Sequence, residues 1–345
     1  MPHILIIGAG AAGTTIAAHL SSNGYRVTLS EVPGFIDRLD NIRAAGKGVR
    51  IYGMLRAEGF VAFAADLSQV EGVDFVVVTT VADAHKAVAD MLAPVVDAVR
   101  AVLYFPGNLG SLFLLRRLGS QARVPLLVEA NTLPYGCRIS PHDAEVARVT
   151  VLTPSVLYSG DPSSVPELAE MLAILTPNPV FGGTVQSVLL SNPNPLFHTT
   201  PCLLSASRIE LDPDFRMYEH GVTPGVRALL GRKDAERMTL LAEVEGRGLA
   251  WNELRGLFSK SGSMAEPERQ DLEFLACGRA AGFKGPNVLE HRYLTEDTAA
   301  GLVCWERIGE LTSIPTPIVS AEITLISALL GRDFRTIGRE RANLL

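Results

Sequence analysis

The run His3–Ile7 (HILII) leads straight into Gly8-Ala9-Gly10-Ala11-Ala12-Gly13 and then into the helical pattern of residues 14–22. A short, uninterrupted apolar run suits a central parallel strand, because both of its faces are buried. Gly8 permits the tight turn, Gly10 lets the backbone approach a pyrophosphate, and Gly13 lets helix and strand pack closely. The helix N-terminus then offers N–H groups and partial positive charge to phosphates. Glycines also serve ordinary turns. Here the motif lies nearly at the N-terminus, in strand–helix context, with an acid at a fitting distance. Gly8, Gly10, Ala11, Ala12 and Gly13 are therefore candidate cofactor-binding residues.

The acid is Glu31, at the end of a second predicted strand (residues 25–30, YRVTLS) and 18 residues after Gly13. A carboxylate there accepts hydrogen bonds from an adenosine ribose and repels a 2′-phosphate, which favours NAD. Arg38 and Arg43 lie downstream, so NADP stays open, and the plainer alternative for Glu31 is a solvated loop acid. Apolar runs at residues 74–79, 101–105 and 124–128 continue the alternation, with a helix predicted at 82–96. In an open α/β sheet, ligands bind at the carboxyl ends of strands. That makes Thr80, Pro106, Gly107, Asn108 and Thr132 cofactor-site candidates, with Glu129 and Tyr135 behind them. Further strands are expected at 149–152 and 179–181. The fold class is α/β, a doubly wound parallel sheet of the Rossmann kind.

Beyond Gly182-Gly183 the strand signals fade, and helices are expected at 195–211, 223–247, from 289 onward, and at Pro317–Leu330. We place a dinucleotide domain at 1–184 and an all-helical domain at 185–345, and 345 residues leave room for both cores. A hydrophobic content of 47% with 20% charged residues indicates a folded chain. The net charge of −6, with no Lys/Arg block, argues against nucleic acid or an anionic membrane as partner. No apolar run is long enough to span a bilayer, and the N-terminus lacks the basic region of a signal peptide. Cys137, Cys202, Cys277 and Cys304 are far apart and read as reduced buried thiols. We expect a cytoplasmic homodimer.

Two stretches of the second half carry chemistry. In SNPNPLFHTTPCLLS (residues 191–205), Asn194-Pro195 reads as an N-cap followed by Pro at the first helical position. That puts His198 about one turn into the helix, as a candidate acid/base. In HRYLTED (residues 291–297), Thr295 is a plausible N-cap with Glu296 and Asp297 in the first turn. Leu302, Trp305, Ile308 and Leu311 then mark a buried face. Taken singly, Asp297 is a first-turn acid stabilised by the helix dipole, and Arg292 is a surface residue. His3, His19 and His142 read as structural or exposed, and His85, at a strand's carboxyl end, reads as part of a surface helix, with an approach to the cofactor as the alternative. His198 and Cys202 are one turn apart, but two ligands do not make a metal site.

The chain resembles the opine dehydrogenase family (octopine, nopaline and carboxyethyl-norvaline dehydrogenases). The resemblance rests on GAGAAG at 8–13, TLPYGCR at 132–138, NPNPLFH at 192–198, RYLTEDTAAGLV at 292–303 and IPTPIVSA at 314–321. It implies a Rossmann domain followed by a helical domain, with the active site in the cleft. It also implies NAD(P)H-dependent condensation of an amino acid with a 2-oxo acid, and reduction of the imine to a secondary amine dicarboxylate. By resemblance, His198 is the catalytic histidine, Asp297 its partner, Arg292 the carboxylate-binding residue and Asn194 a polar neighbour. The chain lacks the insertions of the long metallophore-synthesising members.

These roles also make physical sense. Forming and reducing an imine needs protons moved near neutral pH, which an imidazole can do. A guanidinium fork suits a carboxylate, which both substrates carry. Two other outcomes remain: a simple 2-oxo acid/2-hydroxy acid dehydrogenase, and a dinucleotide-sensing protein without turnover.

Overall fold

The computed structural model describes residues 1–46, 48–120, 123–244, 248 and 282–338. The chain divides into two compact units, Met1–Val185 and Gln186–Leu345.

The first unit is built on six parallel strands: β1 (His3–Ile7), β2 (Arg26–Ser30), β5 (Ala62–Phe63), β6 (Phe75–Val78), β7 (Ala101–Tyr104) and β8 (Leu126–Glu129), in the order β5-β2-β1-β6-β7-β8. The order runs outward from β1 on both sides, so β1 is the switch point that the glycine motif implied. Strand alternation explains its unbroken apolar sequence. Ile4 and Ile6 join a core with Ile16 and Leu20 of α1 (Ala11–Ser22). Leu5 and Ile7 join the opposite core with Val88 and Leu92 of α3 (His85–Leu92) and Leu114 of α4 (Gly110–Leu118). With both sheet faces covered, every side chain of the strand is buried.

The predicted helix at 82–96 is shorter than expected: α3 ends at Leu92, flanked by single 3-10 turns at Ala82–Ala84 and Val96–Ala98. His85, expected on a surface helix, is instead buried, with its ring edge-on to Tyr104.

A second sheet was not anticipated. Strands β3 (Val49–Gly53), β4 (Ala57–Gly59), β9 (Tyr135–Ile139) and β10 (Val146–Leu152) form it in the order β4-β3-β10-β9. It packs on α1, and Gly59 lets β4 approach, since a side chain there would collide with Ser21. The strand expected at 149–152 belongs to this sheet. The strand expected at 179–181 is part of β12 (Asn178–Gly183), which pairs in parallel with β11 (Ser155–Ser159). The remaining helices of the unit are α2 (Ile36–Ala45) and α5 (Pro166–Leu175).

Among the described residues of the second unit, the regular elements are all helices. It takes in most of α6 (Val185–Leu190), then α7 (Pro193–Leu204), α8 (Ala206–Leu211), α9 (Met217–Gly221) and α10 (Pro224–Glu243). A π-helical turn, Asp297–Leu302, then runs into helix Val303–Thr312, and helices Pro317–Leu330 and Phe334–Ile337 follow. The helix expected at 195–211 is two helices, breaking at Ser205. Of the helix expected at 223–247, residues 245–247 lie outside the described residues, as does Cys277; Cys137, Cys202 and Cys304 are buried free thiols. Leu302, Trp305 and Ile308 are buried as their spacing implied, and Leu311 is half-buried.

The close helix–strand contact gives a first test. A Cβ on Gly13 would lie 1.7 Å from the backbone oxygen of Gly8, which cannot move without the strand end. Gly13→Ala is therefore expected to cost more than the ~1–3 kcal/mol typical of overpacking. The measurement is urea denaturation: a lower midpoint with an unchanged slope is expected.

Candidate active site

In the first unit the glycine turn leaves room for backbone to approach closely. Gly8 has φ +116°, and a side chain there would strike Thr79 Oγ1 at 2.6 Å. The Gly8 amide donates to Ser30 O, and Thr79 Oγ1 donates to Gly8 O at 3.0 Å, which ties the turn to two strand ends. Helix α1 begins after Gly10 with no side-chain cap and no acid in its first turn. The first-turn N–H groups around Ala11 and Ala12 are thus not taken by a side chain. Nothing lies within 4 Å of where a Gly10 Cβ would be, so open space adjoins those donors. This is the arrangement a diphosphate requires. At the end of β6, the buried Thr80 hydroxyl has no partner among the described residues, as expected of a group reserved for a polar ligand.

Glu31 is not a solvated loop acid. It is buried, with Oε2 accepting the Ala9 N–H at 2.8 Å and Oε1 the Val32 N–H at 2.9 Å. It ties the end of β2 to the glycine turn, and each oxygen keeps a second lone pair for a hydroxyl donor. Pro106, Gly107 and Asn108 follow β7, and Thr132 follows β8 after Asn131.

Glu129 and Tyr135, the lesser candidates, have other work. Both Glu129 oxygens accept backbone N–H groups, from Leu109 and Ser111, at the start of α4. A buried carboxylate at a helix N-terminus is well placed to satisfy the dipole. The Tyr135 hydroxyl is hydrogen-bonded to His19 Nδ1 of α1 at 2.6 Å, and burial raises the tyrosine pKa while lowering that of His19.

In the second unit, NPNPLFH folds as the start of α7, but its cap lies one Asn-Pro pair earlier than expected. Asn192, not Asn194, is the N-cap: its side-chain oxygen accepts the Asn194 N–H at 3.0 Å, with Pro193 at the first helical position. His198 is thereby the sixth residue of the helix, beyond the first turn where the dipole acts most strongly. Asn194 is half-buried.

Asp297 departs further from expectation. The chain begins to turn at His291, whose carbonyl accepts from Leu294 and Thr295. Both Glu296 and Asp297 then donate to the Arg292 carbonyl. Thr295 is inside this turn, not its cap. The shift from i→i−4 to i→i−5 bonding opens the π turn, a geometry that recurs at functional sites. Asp297 is consequently only 7% exposed, and its Oδ2 lies 2.7 Å from Nδ1 of His198, itself 6% exposed. An ionised Asp297 can only accept, so Nδ1 carries the proton.

Sequence inspection missed two residues that make this pairing possible. Tyr293 lies face to face with the His198 imidazole, with ring centres 3.8 Å apart and planes at 26°, and it fixes the ring plane. Gly301 lets the π turn touch α7, since a Cβ there would be 2.3 Å from Pro195 Cγ. A glycine inside an otherwise helical TAAGLV run was the available signal. Arg292 is exposed, with its guanidinium carbon 6.0 Å from the Tyr293 ring centre. Cys202 sits one turn beyond His198, and burial first, then the Asp297 charge, pushes its thiol pKa up. Among the described residues, no group of three or more His, Cys, Asp or Glu side chains is placed to hold a metal. None of the described helices is long and apolar enough to cross a membrane.

Residues 182–330 match the family model of the NAD/NADP octopine/nopaline dehydrogenase alpha-helical domain, and residues 4–125 match that of ketopantoate reductase PanE/ApbA. An opine dehydrogenase of Arthrobacter sp. (strain 1C) is 26% identical over 97% of this chain and 92% of its own. Protein ocs of Agrobacterium tumefaciens (strain Ach5) is 25% identical over 100% and 95%. Among solved structures, octopine dehydrogenase in complex with NADH and agmatine superposes with a TM-score of 0.79 at 16% identity, covering 99% of this chain and 94% of that one. Yersinopine dehydrogenase gives 0.71 at 16%, over 100% and 97%.

Gly301→Ala tests the packing. It is expected to force α7 from the π turn, at about 1–3 kcal/mol of stability. It should also weaken the His198 Nδ1–H bond, seen as loss of that proton's downfield NMR resonance.

Proposed function

We propose, from the premise that this chain is a relative of the opine dehydrogenases, that it catalyses reversible, NAD(P)H-dependent reductive condensation of an amino acid with a 2-oxo acid, giving an N-(carboxyalkyl) amino acid. The observation that carries this proposal is the buried 2.7 Å contact between His198 and Asp297, two residues 99 apart in the chain. The curated relative from Arthrobacter is itself named an opine dehydrogenase, and it is matched along nearly the whole chain.

The chemistry sets what the residues must do. The amine nitrogen adds to the carbonyl carbon of the oxo acid, and the carbinolamine then loses its protonated hydroxyl as water to leave a protonated imine. Each step moves a proton. With Nδ1 engaged by Asp297, Nε2 of His198 is the atom that takes a proton from the attacking amine and returns one to the departing hydroxyl. Asp297 holds the tautomer and stabilises the imidazolium when it forms, as the acid of a hydrolase triad does. Tyr293 keeps the ring in plane. Arg292 is exposed and takes a substrate carboxylate, with Asn194 as a neighbouring polar group.

The first unit holds the dinucleotide: Gly8, Gly10, Ala11, Ala12 and Gly13 the diphosphate, Glu31 the adenosine ribose, and Thr80, Pro106, Gly107, Asn108 and Thr132 the remainder. When bound, the cofactor supplies the hydride that the imine carbon accepts, while the nitrogen keeps the proton that completes the secondary amine. Glu31 favours NAD.

A second reading, a 2-oxo acid reductase, is favoured by one observation: residues 4–125 match the ketopantoate reductase model. The two differ in their need for an amine. Over a grid of amino acids and 2-oxo acids, NADH oxidation is expected only when both are present. An equal rate with the oxo acid alone would establish the reductase instead. His198→Ala is expected to lower kcat by about 10²–10⁴-fold; an unchanged kcat would remove His198 from the chemistry.

A further inference from the structure

Immediately after His198, α7 carries Thr199 and Thr200, and both hydroxyls meet a second buried ion pair that the reaction does not use. Lys233 of α10 has no exposed surface, and Glu322, on helix Pro317–Leu330, is 3% exposed. Lys233 Nζ lies 3.0 Å from Glu322 Oε2. It also reaches Thr200 Oγ1 at 2.6 Å, Thr199 Oγ1 at 2.9 Å and the Pro195 carbonyl at 3.1 Å. Thr199 Oγ1 lies 2.7 Å from Glu322 Oε2, and Thr200 Oγ1 is hydrogen-bonded to Oε1.

Lys233 Nζ thus faces four acceptors, the Pro195 carbonyl, both threonine hydroxyls and Glu322 Oε2. Thr199 Oγ1 also reaches the Pro195 carbonyl at 3.0 Å. Four acceptors around one nitrogen suit an ammonium, with three N–H groups, better than an amine, with two. Burial holds the lysine pKa below its ordinary value, against the smaller raising effects of Glu322 and then Asp297. A buried pair of this kind seldom adds net stability over apolar side chains of similar size, because desolvation offsets the attraction. Its anchor points are informative: Pro195, Thr199 and Thr200 bracket His198 on one stretch of α7, and Pro195 is also the residue that touches Gly301 of the π turn.

We propose that Lys233 and Glu322 are positioning residues for His198: they bolt its turn of helix to α10 and to helix Pro317–Leu330, and they hold balanced charges around the His198–Asp297 pair. The proposal rests on His198 being the acid–base group. Among the described residues, the titratable groups around the pair include Tyr293, stacked on the imidazole, Tyr218 on α9, Cys202 on α7, and His291 and Arg292, which flank Tyr293. Asp234 and Glu236 lie beside Lys233 on α10.

The test is NMR of the His198 imidazole in the full chain, a readout that needs no turnover. Lys233→Met leaves Glu322 uncompensated, and the His198 titration is expected to move to higher pH. Glu322→Gln leaves Lys233 uncompensated, and the titration is expected to move to lower pH. The double variant Lys233→Met/Glu322→Leu removes both charges with little change in volume. There the Nδ1 proton held by Asp297 is expected to exchange with solvent faster, on the order of tenfold, because the bolt is gone. Single variants that titrate as the parent does overturn the proposal. Should the singles not fold, a double variant with parental exchange overturns it. Failure of the amine-condensing activity would appear separately, as no turnover on the substrate grid in a protein whose His198 responds as described.

Discussion

The helical unit depends on a hydrogen bond between a histidine and an aspartate 99 residues apart, both nearly excluded from water. A buried carboxylate is expensive unless it is paired, so the surrounding packing must hold the partners together. It does so through small, specific devices. The π turn aims Asp297 inward, and Gly301 removes the side chain that would keep that turn off Pro195. Tyr293 stacks on the imidazole, and Asn192 with Pro193 fixes where α7 begins.

The dinucleotide unit depends on a different constraint, the approach of backbone to backbone. β1 is buried on both faces, and its carboxyl end opens into a turn where Gly8 and Gly13 leave no room for a Cβ. Glu31 and Thr79 then tie that turn to the neighbouring strand ends. A helix N-terminus with no cap and no acid is left beside open space, the arrangement on which the proposed phosphate contact rests.

The parallel sheet was legible because its strands are unbroken apolar runs, and His198 was legible because Asn-Pro pairs mark helix starts. The second sheet was not: polar residues interrupt β3 (VRIYG), and β4 (AEG) is only three residues long. Asn192-Pro193 and Asn194-Pro195 satisfy the same local rule, so the sequence does not distinguish which pair caps α7. Thr295 failed as a cap because the chain turns earlier, at His291, and because a π turn carries no local sequence rule. Glu129, singled out for its place at a strand end, also serves a structural need that no local pattern announces: it accepts two N–H groups at the start of α4. The Lys233–Glu322 pair was invisible because it joins three helices through contacts 33 to 123 residues apart.

The central claim is that the nitrogen of an amino acid becomes part of the reduced product. The most direct measurement is mass spectrometry of the product formed from a ¹⁵N-labelled amino acid, an unlabelled 2-oxo acid and NADH deuterated at the transferred position. The expected product is a secondary amine dicarboxylate carrying both the ¹⁵N and one deuterium, the deuterium on the former carbonyl carbon. A deuterated 2-hydroxy acid without nitrogen would contradict the claim.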